Sequence, residues 1–276
     1  MKNVLITGGN GFIGSHLAEK LLAKNIGVTL FDIKFNKNSE KISCEKIRGD
    51  ILDYEEVAKA VRNKGIVVHL AAVSRVEWGQ QNPEKCLRVN ALGTLNVLES
   101  LSKNNSEAAV IFGSSREVYG EPQNLPVAEK HQKNPVSVYG VSKLTAEKLL
   151  AAYNYANGLK YVILRFSNVY GSEKDLPERV IPNFMRAASS GEPITVYGGS
   201  QVLDFTFIDD VTDGATRVVE KAANGDETVI NQAIQFTSGE GKSILELAEL
   251  IKKLYNSDSK IIVEKRRSFD VSNFIG

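Results

Sequence analysis

The chain is short of most features that would announce a specialised protein. It has two cysteines, Cys44 and Cys86, and their spacing fits no metal motif, so two reduced thiols are expected. Its three histidines, His16, His69 and His131, are scattered and form no ligand set, so no metal is expected. Charge of one sign is absent. Lys+Arg at 34 against Asp+Glu at 33 leaves a formal net charge of +1, with no basic field or acidic tail to suggest nucleic acid. No apolar run reaches the ~18 residues of a membrane span. The N-terminus reads directly as a core strand, so no signal peptide is expected and a cytoplasmic soluble protein is the default. The mixture, 42% hydrophobic and 24% charged, is that of an ordinary globular chain. At 276 residues it is long enough for one large domain or two small ones.

What is present starts at the N-terminus. An apolar run, Val4-Leu5-Ile6, reads as a buried strand, and Ile13, Leu17, Leu21 and Leu22 fall at helical spacing. Between them lies Thr7-Gly8-Gly9-Asn10-Gly11-Phe12-Ile13-Gly14. A strand, a glycine turn and a helix make a phosphate cradle, because the free N–H groups of the first helical turn point at an anion. The spacing is G-x-x-G-x-x-G, not the usual G-x-G-x-x-G. A second strand, Val28-Thr29-Leu30-Phe31, ends on Asp32, which lies 18 residues after Gly14. An acid about 20 residues on is expected to hold an adenosine ribose. Asp32 can accept from both ribose hydroxyls and would repel a 2′-phosphate, which favours NAD over NADP.

Strand and helix patterns then alternate, which predicts a doubly wound parallel sheet with helices on both faces. Lys46 to Ile51 reads as a short strand ending at Asp50, and Tyr54 to Arg62 as a helix. Ile66 to Ala72 reads as a buried strand whose small final residues leave room for a ligand. Pro83 opens a long helix to about Lys103, with Asn90 in its middle. Taken alone, Asn90 reads as well as a core polar residue bonded to backbone. Ala109 to Phe112 is the next strand, ending at Gly113-Ser114-Ser115. A Pro-rich loop, the helix Val138 to Ala156 and the strand Tyr161 to Leu164 follow. Beyond Gly171 the pattern loosens. It predicts helices at 179–190, 208–223 and 243–255, and strands at 195–197, 229–231 and 260–263. Ser243 and Glu246 match a capping box.

Tyr139 and Lys143 stand four apart, on one helix face. A free tyrosine, with a pKa of about 10, is a poor base at neutral pH. A nearby ammonium and an oxidised nicotinamide ring both favour the phenolate. Lowering the pKa by ~3 units takes roughly 4 kcal/mol. Tyr139 could then take a proton from a substrate hydroxyl as hydride leaves the carbon. Ser115, at the end of the preceding strand, can hold the same oxygen.

This ordered set resembles the extended short-chain dehydrogenase/reductase family, the NAD-dependent nucleotide-sugar epimerases and dehydratases. Further matches are Asp50-Ile51, His69 to Ala72, Asn90, Ser114-Ser115, Val118-Tyr119-Gly120, Leu164 to Gly171, Ile181-Pro182, Asp204-Phe205, Asp209-Asp210-Val211 and Arg267. The resemblance implies a Rossmann-like NAD-binding domain over 1–170. A smaller interleaved substrate-binding cap would occupy 171–276, with 204–232 returning to the first domain. It implies NAD contacts from Gly8, Gly11, Phe12, Ile13, Gly14, Asp32, Asp50, Ile51, Leu70, Ala71, Ala72, Asn90, Tyr139 and Lys143. Ser115, Tyr139 and Lys143 would be catalytic. Ser115, Asn168 and Arg267 would contact a nucleotide-sugar substrate, Arg267 at its diphosphate. It also implies a homodimer through the helices 83–103 and 138–156.

Three departures bear on the reaction. Leu203 stands where many relatives carry an arginine that anchors the diphosphate. Arg116-Glu117 follows Ser115, where water-removing relatives carry Asp-Glu. The chain ends at Gly276, where relatives continue. The reaction expected first is 4-epimerisation of a UDP-sugar through a 4-keto sugar. A 4,6-dehydratase or a UDP-glucuronate decarboxylase shares the same opening oxidation. A non-catalytic NAD sensor is disfavoured, because such proteins typically lose the Tyr–Lys pair.

Overall fold

The computed structural model describes residues 3–276. The chain opens with β1 (Val4–Thr7), α1 (Phe12–Ala23), β2 (Val28–Asp32), β3 (Glu45–Arg48), α2 (Tyr54–Ala60) and β4 (Ile66–His69). β1 and β4 are apolar and buried along their whole length, as strands covered on both faces must be. β3 is polar and half-exposed because it lies at the sheet edge.

Next come α3 (Val76–Gln81) and α4 (Pro83–Leu87), which runs through a π-turn at 88–92 into α5 (Gly93–Asn104). The sequence pattern gave no warning of α3 or of the π-turn inside the predicted long helix. Asn82 caps α4 by accepting from Lys85 N at 3.1 Å, and Pro83 fills a position that needs no N–H donor. β5 (Ala109–Ser115), α6 (Val138–Asn157) and β6 (Lys160–Phe166) complete the first crossover series. Ser137 caps α6 through Gly140 N at 3.0 Å.

The chain then leaves the large sheet for β7 (Asn168–Tyr170), α7 (Val180–Ser190), β8 (Ile194–Tyr197) and β9 (Val202–Phe207). It returns with α8 (Ile208–Ala223) and β10 (Gln232–Phe236). It leaves again for β11 (Gly241–Ser243), α9 (Ile244–Leu254), β12 (Ile261–Glu264) and β13 (Asn273–Phe274). The large sheet has the order β10-β6-β5-β4-β1-β2-β3, and every neighbouring pair is parallel. The order reverses between β1 and β4, the switch point where such sheets open a crevice. Two apolar layers cover its faces. One joins α1 and α8 through Leu17, Leu21, Val211, Ala215 and Val219. The other joins α2, α5 and α6 through Val57, Val97, Leu101, Ala146 and Leu150. A third core, with Phe184, Ile194, Val196, Leu247 and Ile251, holds the small unit around α7 and α9.

One predicted strand is corrected. Residues 229–231 form a turn, and the strand begins at Gln232. Val229 N and Ile230 N both donate to Asp226 O, and Asn231 takes a left-handed φ of 59°. Asn231 Oδ1 then accepts from Tyr161 N at 3.2 Å, docking the turn beside β6 before pairing starts. The capping box at the start of α9 forms as expected, with both Ser243–Glu246 hydrogen bonds present.

A buried ion pair ties the sheet to α6. Arg165 on β6 donates from Nε to Glu147 Oε1 at 2.9 Å and from Nη2 to Oε2 at 2.7 Å. Both side chains are 4% exposed. Arg165 Nη1 also reaches Tyr119 Oη and Glu129 O, each at 2.8 Å. Ser114 Oγ donates to Glu147 Oε1 at 2.6 Å, which ties the C-terminal end of β5 to α6. Removing one member of such a pair strands a buried charge. Glu147→Ala is therefore expected to cost about 3–5 kcal/mol in urea unfolding. A loss of only a few tenths would show that the pair contributes little.

Candidate active site

A cleft of ≈ 1780 Å³ runs along the C-terminal ends of the sheet strands and under the small unit. Its floor at the switch point is the turn between β1 and α1. Gly8 has φ +70°, and a Cβ there would lie 2.7 Å from Ala71 N. A Cβ on Gly14 would lie 2.4 Å from Gly8 O. Only glycines let the turn, the helix and the end of β4 meet this closely. Gly11 is the N-cap of α1, with no side-chain cap and no acid in the first turn. The N–H groups of Phe12, Ile13 and Gly14 lack helical partners by position and border the cleft. This end of the cleft suits a pyrophosphate in shape and polarity.

Asp32 ends β2 in the same cleft. Its Oδ2 accepts from Asn10 N at 3.0 Å and its Oδ1 from Lys34 N at 3.4 Å. Burial raises its carboxyl above the usual range, with these backbone donors pulling the other way. Asp50, Ile51, Leu70, Ala71 and Ala72 all line the cleft. Leu70 N and Ala71 N are held by Thr7, at 3.0 Å through its carbonyl and 3.3 Å through its hydroxyl.

Asn90 is the exception among the expected cofactor residues. It is buried beneath the cleft and does not line it. Its Oδ1 accepts from Val73 N at 2.8 Å, and its Nδ2 donates to Val73 O at 3.1 Å and Ser142 Oγ at 2.9 Å. The π-turn of the long helix carries this amide, which holds the loop after β4 in place. Its action on the cleft is indirect.

At the other end Ser115, Tyr139 and Lys143 come together. Ser115 closes β5, and its Oγ accepts from Glu117 N at 3.2 Å. Tyr139 lies in the first turn of α6 and Lys143 one turn further. Lys143 Nζ donates to Gly113 O at 2.8 Å and sits 4.8 Å above the Phe112 ring and 6.0 Å from the Tyr139 ring. Burial pulls its ammonium down to about 8. Burial also pushes the Tyr139 phenol up to about 12, because it strips water from the phenolate. The expected lowering of this group is thus not supplied by the protein's own charges. The foremost of the opposing influences is the Arg179 guanidinium, followed by the Ser115 hydroxyl.

Arg179 was not singled out from sequence. It is the N-cap of α7, lines the cleft and pairs with Asp175 at 3.4 Å. Arg116 and Glu117 form a buried ion pair at 2.9 Å. Arg116 also lies 5.6 Å over the Phe274 ring, and Glu117 Oε2 accepts from Ser137 Oγ at 3.5 Å. Asn168 and Arg267 line the cleft from the small unit's side, with Leu203 between strands that flank it. Asn168 Nδ2 donates to Asp204 O at 2.9 Å. Arg267 lies between the Tyr197 and Phe269 rings, at 5.6 and 5.3 Å.

A parallel sheet with an anion cradle at its switch point, and a Ser–Tyr–Lys cluster across the cleft, defines a dinucleotide-dependent protein of the dehydrogenase type. Residues 4–233 match the model of the NAD dependent epimerase/dehydratase family, and the chain belongs to that family. Its cofactor is accordingly NAD. The chain is 30% identical over 292 residues to the UDP-glucose 4-epimerase of Lactobacillus helveticus, covering 99% of this chain and 87% of that one. It is 35% identical over 277 residues to the UDP-N-acetyl-alpha-D-glucosaminuronate decarboxylase of Bacillus cytotoxicus, covering 95% and 83%. Among solved structures it resembles the UDP-glucose 4-epimerase of Thermotoga maritima with UDP-glucose. That match has a TM-score of 0.90 and 29% identity, covering 99% of this chain and 89% of the other.

The Arg179 charge yields a prediction about pH. A base that acts as phenolate gains activity as pH rises toward its pKa, and a nearby cation moves that rise to lower pH. Arg179→Gln should therefore shift the rising limb of the kcat profile to higher pH. An unshifted limb in a variant that still turns over would remove Arg179 from this role.

Proposed function

We propose that this protein epimerises a UDP-sugar at C4, interconverting sugars of the UDP-glucose and UDP-galactose type. The observation that carries the reading is the convergence of Ser115, Tyr139 and Lys143 at the far end of the cradle's own cleft. Bound NAD supplies the hydride acceptor at C4 and the hydride that returns to the other face. Gly8, Gly11 and Gly14 would hold its pyrophosphate, Asp32 its adenosine ribose, and Lys143 its second ribose. Ser115 Oγ would hold the substrate's O4, and Tyr139 Oη would take and return the O4 proton. Asn168 and Arg267 would hold the substrate from the small unit. The cleft's volume leaves a keto sugar room to turn.

A second reading, decarboxylation of a UDP-uronate, is favoured by one observation: Arg116 and Arg179 both line the cleft, where a sugar carboxylate would need a cation. Glu117 supports the first reading, since its carboxylate is already paired with Arg116. The long helix and α6 leave Leu87, Leu92 and Val141 exposed, at 40%, 50% and 43%, which supports a homodimer through those helices. The two unpaired thiols suit a reducing compartment such as the cytoplasm.

The wild type should interconvert UDP-glucose and UDP-galactose and release no carbon dioxide from UDP-glucuronate. Tyr139→Phe should keep fold and cofactor and lose about 10²–10⁴ in rate. Glu117→Gln should leave interconversion largely intact. Steady release of carbon dioxide, or of a 4-keto-6-deoxy sugar, abolished by Glu117→Gln, would replace the epimerase reading. In sedimentation the chain should run as a dimer, and Leu92→Glu should shift it toward monomer. A wild type that stays monomeric at micromolar concentration would dismiss the dimer.

A further inference from the structure

Two cleft-lining arginines from segments far apart in the chain approach one carboxylate oxygen. Arg75 follows β4 and caps α3. Its Nη2 donates to Glu77 Oε2 at 2.9 Å and to Glu178 O at 3.2 Å, and its guanidinium lies 5.3 Å over the Trp78 ring. Arg267 belongs to the segment between β12 and β13. Its Nη1 lies 3.8 Å from the same Glu77 Oε2, and its other nitrogens pair with Asp270 at 2.9 and 3.0 Å. Arg75, Glu77 and Arg267 all line the cleft and are partly exposed. Side-chain exposures are 16% for Arg75, 36% for Glu77 and 39% for Arg267.

We infer that Arg75 is a second anchor for the substrate's diphosphate, and that Glu77 occupies its position in the free protein. The inference rests on the nucleoside-diphosphate reading of the substrate. It accounts for Leu203. That apolar side chain lines the cleft where the resemblance implies a basic residue, and Arg75 would supply a cation from another element. Arg75 and Arg267 carry their charge to a common point, and their nitrogens are separated by no more than the two distances to Glu77 combined. A carboxylate shared by two partly exposed guanidiniums is weakly held. A diphosphate carries more charge and offers more acceptor oxygens to the same guanidinium forks, so it displaces the carboxylate. Trp78 and Glu178 O hold Arg75 in the cleft when Glu77 lets go.

Calorimetry with the NAD-loaded protein and UDP or UMP tests this. Arg75→Ala should weaken UDP by ~10-fold or more and UMP clearly less, with NAD content unchanged. Arg75→Lys should recover part of the loss, since it restores charge without the fork. Glu77→Gln should act in the opposite sense and tighten UDP several-fold, because the internal competitor is gone. This opposite sign separates the inference from simple damage to the fold. If wild type binds UDP but Arg75→Ala binds it within about twofold as tightly, the inference falls alone. It also falls alone if Glu77→Gln binds UDP no more tightly. If wild type binds none of UDP, dTDP, ADP and GDP, the inference and the substrate reading fall together.

Discussion

The close approach of the β1–α1 turn to the end of β4 is the constraint on which the architecture depends. Gly8 and Ala71 are separated by less than a methyl group would need. That contact brings the N-terminus of α1 to the reversal point between β1 and β4, where two crossovers diverge and a crevice must open. The same approach lets Thr7 bond Leu70 and Ala71, so the small residues after β4 are fixed as a wall of the cleft. His69 is locked just below, between Thr7 Oγ1 at 2.7 Å and Thr94 Oγ1 at 3.0 Å. Burial holds this imidazole near pH 3, so it stays neutral and acts as a strut. The unfolded chain binds that proton more readily. This group therefore adds stability above about 6.5 that is lost as pH falls toward 3.

The far end of the cleft is built on charge that the fold has already committed. Glu147 neutralises Arg165, and its remaining capacity goes to Ser114, next to Ser115. Lys143 gives a hydrogen bond to Gly113 O on the same strand. The C-terminal end of β5 is thus held at Gly113 and at Ser114 by two side chains one turn apart on the same face of α6. Rigidity here costs basicity. The burial that fixes Tyr139 and Lys143 also disfavours the charged form of each, and it does so in opposite directions, to about 12 and about 8. A positively charged ring brought beside the phenol would offset that penalty, which couples the tyrosine's readiness to cofactor loading.

Most of this was legible because it is local. The glycine turn, Asp32, the Tyr–Lys spacing and the Ser243–Glu246 box are short-range patterns with a mechanical reason for each residue. Periodicity found α8 to the residue, because its buried stripe from Val211 to Ala222 is nearly uninterrupted. What stayed hidden depends on long-range contact. Asn90 has the same sequence context whether it faces a ligand or bonds Val73, and only the packing of α5 on α6 decides. Asp226, which ends the expected strand at 229–231 by accepting two turn hydrogen bonds, is an ordinary loop acid in the sequence. Arg75, Glu77 and Arg179 carry no motif. Their surroundings come from segments distant along the chain, as the Arg75–Glu178 bond illustrates with a separation of 103.

The chemistry after an initial oxidation depends on which groups near the sugar are free to move a proton. Glu117 is the nearest acid by sequence to Ser115, and it is engaged twice, by Arg116 at 2.9 Å and by Ser137 at 3.5 Å. Arg116 is itself wedged against Phe274, which is fully buried. To reach a sugar carbon, Glu117 would have to leave the Arg116 guanidinium, which would lose its partner in a largely buried turn. Tyr139 lies beside Ser115 and within the field of Arg179, both of which favour its phenolate. A site in which Glu117 is engaged in this way favours a reaction that removes and restores a single proton on one oxygen. Epimerisation at C4 has that requirement. Elimination across C5 and C6 also needs a base and an acid, whereas here Glu117 is tied to Arg116 and a guanidinium gives up no proton near neutral pH.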